Sequence, residues 1–194
     1  MELHLMRHGK TSANEQGLYC GQTDLPLSPT GIAQIESFKD SCLYPQSPAL
    51  FFSSHLIRAV QTIDIIYGKV RVKTLPEIAE FHFGDFEMHS HEELKNRGDY
   101  RLWIADKTGA VPCPGGESKQ QFEKRVIAGY NNIVSEVNLA NCACALVVCH
   151  GGIIACLMEH LCPGTKGFYE WQPAQGRGYT LVYAGGQLQE ARNL

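Results

Sequence analysis

The sequence predicts an α/β fold of three layers, α/β/α, with a mostly parallel central sheet between two layers of helices. Three observations predict it. Ala49–Ser53 and Ala143–Cys149 are apolar runs without alternation, as in strands buried on both faces, and the chain opens on a third such stretch at Leu3–Met6. Each run is followed by a stretch whose apolar residues recur at helical spacing, and that alternation builds parallel sheets covered on both sides. Reactive side chains then collect just past the strand ends, at Arg7-His8, Ser53-Ser54 and His150-Gly151, the edge at which such sheets bind ligands.

Length and charge narrow the class. A chain of 194 residues can bury a sizeable core, and one domain spanning 1–194 is the natural expectation. A formal net charge of −3 gives no reason to expect nucleic acid or a membrane surface as partner. No apolar run is long enough to span a bilayer. Glu2 and His4 stand where a signal peptide needs basic residues, and Arg7 and His8 follow too early, so a cytoplasmic location is expected. The eight cysteines include no C-x-x-C pair, the usual zinc spacing. Cys142, Cys144 and Cys149 lie in or beside an apolar strand, where reduced thiols act as small hydrophobes.

Taken in order, the first strand runs up to Arg7, His8 and Gly9, and the glycine removes a Cβ where a ligand needs space. A polar, turn-forming segment covers Asn14 to Asp24. Ser28 and Pro29 then open a helix by capping and by a preset φ, with Ile32, Ile35, Phe38 and Cys42 on one face. After the strand at Ala49–Ser53, Ser53 or Ser54 caps a helix whose core face is Leu56, Ala59, Val60, Ile63 and Ile66 or Tyr67, ended by Gly68. Arg58 lies in its first turn. Val70–Thr74 alternates, as a more exposed strand does. Ser90 with Glu93 forms a capping box for a short helix, and Arg101–Lys107 reads as another that carries Trp103. Pro112 to Gly116 is irregular. Ser118 with Gln121 opens a long helix with Phe122, Val126, Tyr130, Ile133 and Val137 on its core face. The buried strand at Ala143–Cys149 leads through His150-Gly151-Gly152 into a helix through Leu161, and Tyr179–Ala184 with Gln187–Ala191 forms a terminal hairpin across Gly185-Gly186.

The strand ends deliver two histidines and two arginines to one place, provided Arg58 points back from its helix. Two guanidinium groups beside helix N-terminal amides make an anion site that suits phosphate. One histidine can attack phosphorus in line while the other holds equatorial oxygens. No G-x-x-x-x-G-K-[ST] loop is present, which excludes a P-loop nucleotide site. Singly, each residue has an ordinary explanation: His150 as a satisfied core histidine, Arg58 as a solvated helix residue. Their joint placement at strand ends favours a shared site.

With those stretches in hand, the sequence resembles the histidine phosphatase superfamily, the phosphoglycerate-mutase-like group. The resemblance rests on Arg7-His8-Gly9 with Asn14 seven positions after Arg7, on Leu27 to Gly31, and on Ser53 to Thr62. It continues with Glu80 four before Gly84, Pro114 to Ser118, and His150 to Gly152, in the family's order over most of the chain. It implies that His8 is the nucleophile that becomes phosphohistidine. It implies that Arg7, Arg58 and His150 bind the phosphoryl group, with Asn14 and the amide of Gly151 as further donors. Glu80 is implied as proton donor to the leaving oxygen and then as activator of water, and no metal or other cofactor is implied. For that chemistry His8 must be neutral, a state that nearby arginines favour by repelling its protonated form. Glu80 needs partial burial or a neighbouring anion, and Phe81, Phe83 and Phe86 can desolvate it or simply serve the core.

The segment between Glu80 and Pro114 is short for a mutase of this family, which favours a phosphatase acting on a small phosphomonoester. Cys20 to Leu27 and Glu80 to Glu87 are similar to the α-ribazole phosphatase group, with one departure: Phe86-Glu87-Met88 stands where many of that group have Trp-Glu-Gly. Phe81, Phe83 or Trp103 can stack on an aromatic base. Two other classes stay open: a metal-binding protein using His82, His89 and His91 with Glu87, and a silent phospholigand-binding module. The second is disfavoured because His8, Glu80 and His150 are all present.

Overall fold

The computed structural model describes residues 1–194. The chain begins with β1 (Glu2–Arg7), a short α1 (Ser12–Gln16) and α2 (Pro29–Asp40), then β2 (Leu50–Ser53), α3 (Ile57–Tyr67) and β3 (Val72–Thr74). Short helices α4 (His91–Leu94) and α5 (Gly98–Ala105) precede the long α6 (Lys119–Leu139). β4 (Cys144–Cys149), α7 (Gly151–Leu161), α8 (Phe168–Trp171) and the hairpin β5 (Gly178–Ala184) and β6 (Gln187–Asn193) complete it. The six strands form one sheet in the order β3-β2-β4-β1-β5-β6. β3, β2, β4 and β1 run parallel, whereas β5 is antiparallel to β1 and β6 to β5. The sheet is mostly parallel, as the apolar runs predict.

Alternation along the central strands divides the core. Leu3 and Leu5 of β1 with Ala145, Val147 and Cys149 of β4 face Phe122, Val126 and Ile133 of α6 and the apolar side of α7. Met6, Leu146 and Val148 face the opposite way, against Ile35 of α2 and Ala59, Ile63 and Ile66 of α3. β1 and β4 lie side by side in register, Arg7 opposite Cys149, so the residues after each strand emerge together. Burial pushes the Cys113 and Cys156 thiols up to about 12, which keeps them protonated.

Four local expectations are corrected. The segment read as turn formers from Asn14 begins inside α1, which is capped by Thr11 and Asn14 and closed by Gly17 at φ 67°, too short a helix to show periodicity. The helix read at Arg101–Lys107 lies at Gly98–Ala105, because the Asp106 carboxylate accepts from the Thr108 and Val111 amides and turns the chain out. Neither Ser53 nor Ser54 caps α3: its N-cap is Leu56, and Asp24 accepts from the Ile57 amide at 2.7 Å instead. Gly9 does not make room for a ligand. A Cβ there would meet Ile35 Cγ1 at 2.8 Å and Leu27 Cδ2 at 3.2 Å, so the glycine lets α2 pack against the turn. No helix is long and apolar enough to cross a membrane.

Candidate active site

His8 follows β1 directly, and its amide donates to the Cys149 carbonyl at 3.0 Å, which continues the β1–β4 pairing past the strand end. Its Nδ1 lies 2.6 Å from the Gly9 carbonyl. A carbonyl only accepts, so Nδ1 carries the hydrogen and Nε2 keeps its lone pair. The ring is 4 % exposed. Burial first, then the Arg58 and Arg7 charges, hold its protonated form well below the ordinary histidine range. The expected neutral imidazole is therefore present, with desolvation as the larger cause and the arginines second.

Arg58 does point back from α3, and it is 1 % exposed. Its guanidinium donates to the carbonyls of Thr23 at 2.9 Å and Gly21 at 2.6 Å. Arg7 donates to the Pro173 carbonyl at 2.8 Å, while its buried Nε has no protein partner. His150 is the N-cap residue of α7 and stands 5.1 Å from His8 between ring centroids. One of its nitrogens pairs with the Ser54 hydroxyl at 2.8 Å and the other, Nδ1, is buried without a partner. Burial and the two arginines hold its protonated form well below the ordinary range as well. The unpartnered Nε–H of the Arg7 guanidinium, with the open Nδ1 of the neutral His150 ring at the adjoining strand end, leaves hydrogen-bonding capacity that an anionic guest can use.

The glycines after His150 are required by close approach. A Cβ on Gly151 would stand 2.8 Å from Arg7 Cζ, and one on Gly152 would overlap the Glu80 carboxylate. Glu80, 9 % exposed, accepts from the Gly152 amide at 3.0 Å and the Phe81 amide at 2.9 Å. Asn14 Oδ1 accepts from the Thr11 amide and hydroxyl, both at 3.1 Å, which fixes the side chain and leaves its amide nitrogen as a donor. Arg7, Asn14, Glu80 and Gly152 all line a cavity of about 760 Å³. Tyr19, Phe81, Phe83, Trp103 and Phe122 form its aromatic wall, with Phe81 and Phe83 centroids 4.9 Å apart. His8, Arg58 and His150 are not on the cavity surface and lie buried beside it.

The structure thus gathers His8, Arg7, Arg58, His150, Glu80, Asn14 and Gly151. It does not gather the loop histidines. His82 accepts from the Gly84 amide, His89 pairs with the Glu87 carbonyl and His91 with the Tyr100 hydroxyl, and no three metal-binding side chains converge. Phe86 is fully buried against Tyr100 and Trp103 and is not part of the cavity lining, so the departure from Trp-Glu-Gly lies behind the cavity wall, where Phe86 backs Trp103. Two residues escaped sequence reasoning. Arg125 of α6 donates to the carbonyls of Glu77, Ala79 and Glu80 and pairs with Glu117, which anchors the segment that presents Glu80. Glu87, given no role in the sequence other than a candidate metal ligand within a family-like stretch, accepts from the amides of residues 21 to 23. Both act on backbone groups distant in sequence, and no local pattern marks such contacts.

Comparison with known proteins agrees with this geometry. Residues 3–192 match the histidine phosphatase superfamily (branch 1). The adenosylcobalamin/α-ribazole phosphatase of Escherichia coli K12 is 34 % identical over 168 residues, covering 83 % of this chain and 79 % of that protein. The protein of the same description from Salmonella typhimurium LT2 is 34 % identical over 166 residues with the same coverage, 83 % and 79 %. The crystal structure of the α-ribazole phosphatase from Shigella flexneri superposes with a TM-score of 0.83 at 30 % identity, covering 97 % of this chain and 93 % of that one. With its strand-end histidines and arginines, its sheet and these matches, the chain belongs to the histidine phosphatase superfamily.

Proposed function

We propose that the chain hydrolyses phosphomonoesters through a phosphohistidine at His8, without a metal, and that its substrate is α-ribazole 5′-phosphate or the corresponding cobalamin precursor phosphate. The observation that carries the reading is the buried His8, whose Nδ1 is committed to the Gly9 carbonyl and whose protonation is opposed by burial and by the Arg58 and Arg7 charges, so that Nε2 keeps its lone pair. Arg7, Arg58, His150, the Asn14 amide and the Gly151 N–H hold the phosphoryl oxygens. His8 Nε2 attacks phosphorus in line, the N–P bond forms as the P–O bond to the leaving group breaks, and Glu80 gives that oxygen its proton. Water, deprotonated by Glu80, then attacks the phosphohistidine and releases phosphate. The substrate assignment is supported by the names of the relatives and by the aromatic wall, which suits a flat base. A cavity of about 760 Å³ is large for phosphate alone and within the range for a nucleoside-sized leaving group.

The test is steady-state phosphate release at neutral pH with chelator present. α-Ribazole 5′-phosphate is expected to show a large kcat/KM advantage over 3-phosphoglycerate and an aryl phosphate. Hydrolysis of the aryl phosphate without that advantage removes the cobalamin assignment and keeps the mechanism. Phosphate migration stimulated by a bisphosphorylated primer, without net release, would make the chain a mutase.

A further inference from the structure

One carboxylate outside the reacting groups organises the loop behind them. Glu87 follows the 3₁₀ turn at Gly84–Phe86 and reaches across to residues 21–23. Its Oε1 accepts from the Gln22 amide at 2.8 Å, and its Oε2 from the Thr23 amide at 3.0 Å and the Thr23 hydroxyl at 2.6 Å. The Gly21 amide adds a contact to each oxygen, at 3.2 and 3.1 Å. Consecutive amides converging on a half-buried carboxylate fix a loop far more firmly than any one hydrogen bond.

The opposite side of the same loop serves the reacting groups. The Gly21 and Thr23 carbonyls are the acceptors that hold Arg58, and the Gln22 side chain donates to the Glu80 carbonyl at 2.6 Å. Gly21 lies so close to the Phe81 carbonyl that a Cβ would overlap it. The chain on either side is tied down too: the Met88 amide donates to the Tyr19 carbonyl at 2.7 Å and the Tyr19 amide to the His89 carbonyl at 2.9 Å. Met88 adopts φ 60°, a left-handed conformation retained by a non-glycine residue immediately after Glu87.

We propose that Glu87 is a positioning residue for phosphoryl binding: it orders residues 21–23 so that their carbonyls hold the Arg58 guanidinium beside His8. The proposal rests on the preceding reading that Arg58 binds the phosphoryl group. Without Glu87 the amides of residues 21 to 23 lose their acceptor, the loop relaxes, and Arg58 loses its two fixed acceptors. The defect concerns the phosphoryl group and is blind to the leaving group, because Gln22 holds only the main chain of Glu80, whose carboxylate stays on the Gly152 and Phe81 amides.

A double-mutant cycle on the full chain tests this, with Glu87→Ala, Arg58→Ala and the double variant. The readouts are kcat/KM on an aryl and an alkyl phosphate, and competitive inhibition by inorganic phosphate. Glu87→Ala is expected to lower kcat/KM roughly tenfold to a hundredfold, equally on both substrates, and to weaken phosphate inhibition. In the Arg58→Ala background the same change is expected to cost less than about twofold, because coupled residues are not additive. Glu87→Gln, which keeps the size and one acceptor oxygen, is expected to recover part of the loss and serves if Glu87→Ala does not fold. Additive losses, or unchanged phosphate inhibition in both Glu87 variants, overturn the proposal alone. A full rate in Arg58→Ala overturns the reading of the site and the proposal with it.

Discussion

His8 and His150 are uncharged in the folded protein because burial and the neighbouring guanidinium groups oppose their protonation. In the unfolded chain the same rings titrate near about 6.5. Below that pH the unfolded state therefore takes up protons that the folded state refuses, and stability falls as pH falls. His4, also held low by burial, adds in the same direction. The slope expected from each histidine is about 1.4 kcal/mol per pH unit until its folded-state value is reached. Urea midpoints at pH 7.5 and 5.5 check this: the midpoint drops at the lower pH, and His150→Asn makes the drop smaller. Glu80 makes a different prediction. In the proposed role of proton donor it would matter most when the leaving oxygen is a strong base, so Glu80→Gln is expected to slow alkyl phosphates more than nitrophenyl phosphate. Equal losses on the two would contradict the donor role. The residues that meet at the site were legible because strand ends and the family pattern mark them. Glu87 and Arg125 were not, since each works through main-chain atoms more than 40 residues away.

The segment from Glu80 to Met88 joins sequence, strain and site at the scale of an element. Its aromatics divide their tasks: Phe86 is fully buried, whereas Phe81 and Phe83 face the cavity. Met88 at φ 60° occupies a conformation that glycine adopts without steric cost, and it is 37 % exposed, so little packing depends on its side chain. Met88→Gly is expected to stabilise the fold by about 1 kcal/mol, the relief of a left-handed L-residue offset by the greater freedom of glycine in the unfolded chain. Thermal unfolding of the two proteins checks it, and a lower midpoint for the variant would show that the Met88 side chain contributes more than its strain costs. The starts of α2 and α6, each with an N-terminal serine cap, were legible in the sequence, whereas Cys42, read on the apolar face of α2, is exposed at φ 55° beyond the end of that helix. α1, α8 and the start of α3 were not legible. The first two are too short for periodicity, and the third is capped by Asp24 from another part of the chain.

Across the whole molecule, parallel pairing of β1 with β4 and of β4 with β2 brings His8, His150 and the start of α3 to one edge of the sheet. Apolar runs revealed which segments are strands but not their order, because that order depends on which helices cover which face. The antiparallel β5 beside β1 was legible only as half of a hairpin. Its neighbour in sequence supplies the Pro173 carbonyl that holds Arg7, so the C-terminal part of the chain completes a site begun by the first strand. The cavity runs from Arg7 and Glu80 at this edge over the rings of Tyr19, Phe81, Phe83 and Trp103.

The phosphohistidine itself is the most direct test. The protein is mixed with an aryl phosphate, quenched in alkali within the turnover time, digested, and examined by mass spectrometry. Attack by His8 leaves an acid-labile phosphoryl group on the peptide that contains it, and His8→Ala is expected to show neither phosphoryl group nor turnover. Near-normal hydrolysis by His8→Ala, or a phosphoryl group on any other residue during turnover, would contradict attack by His8.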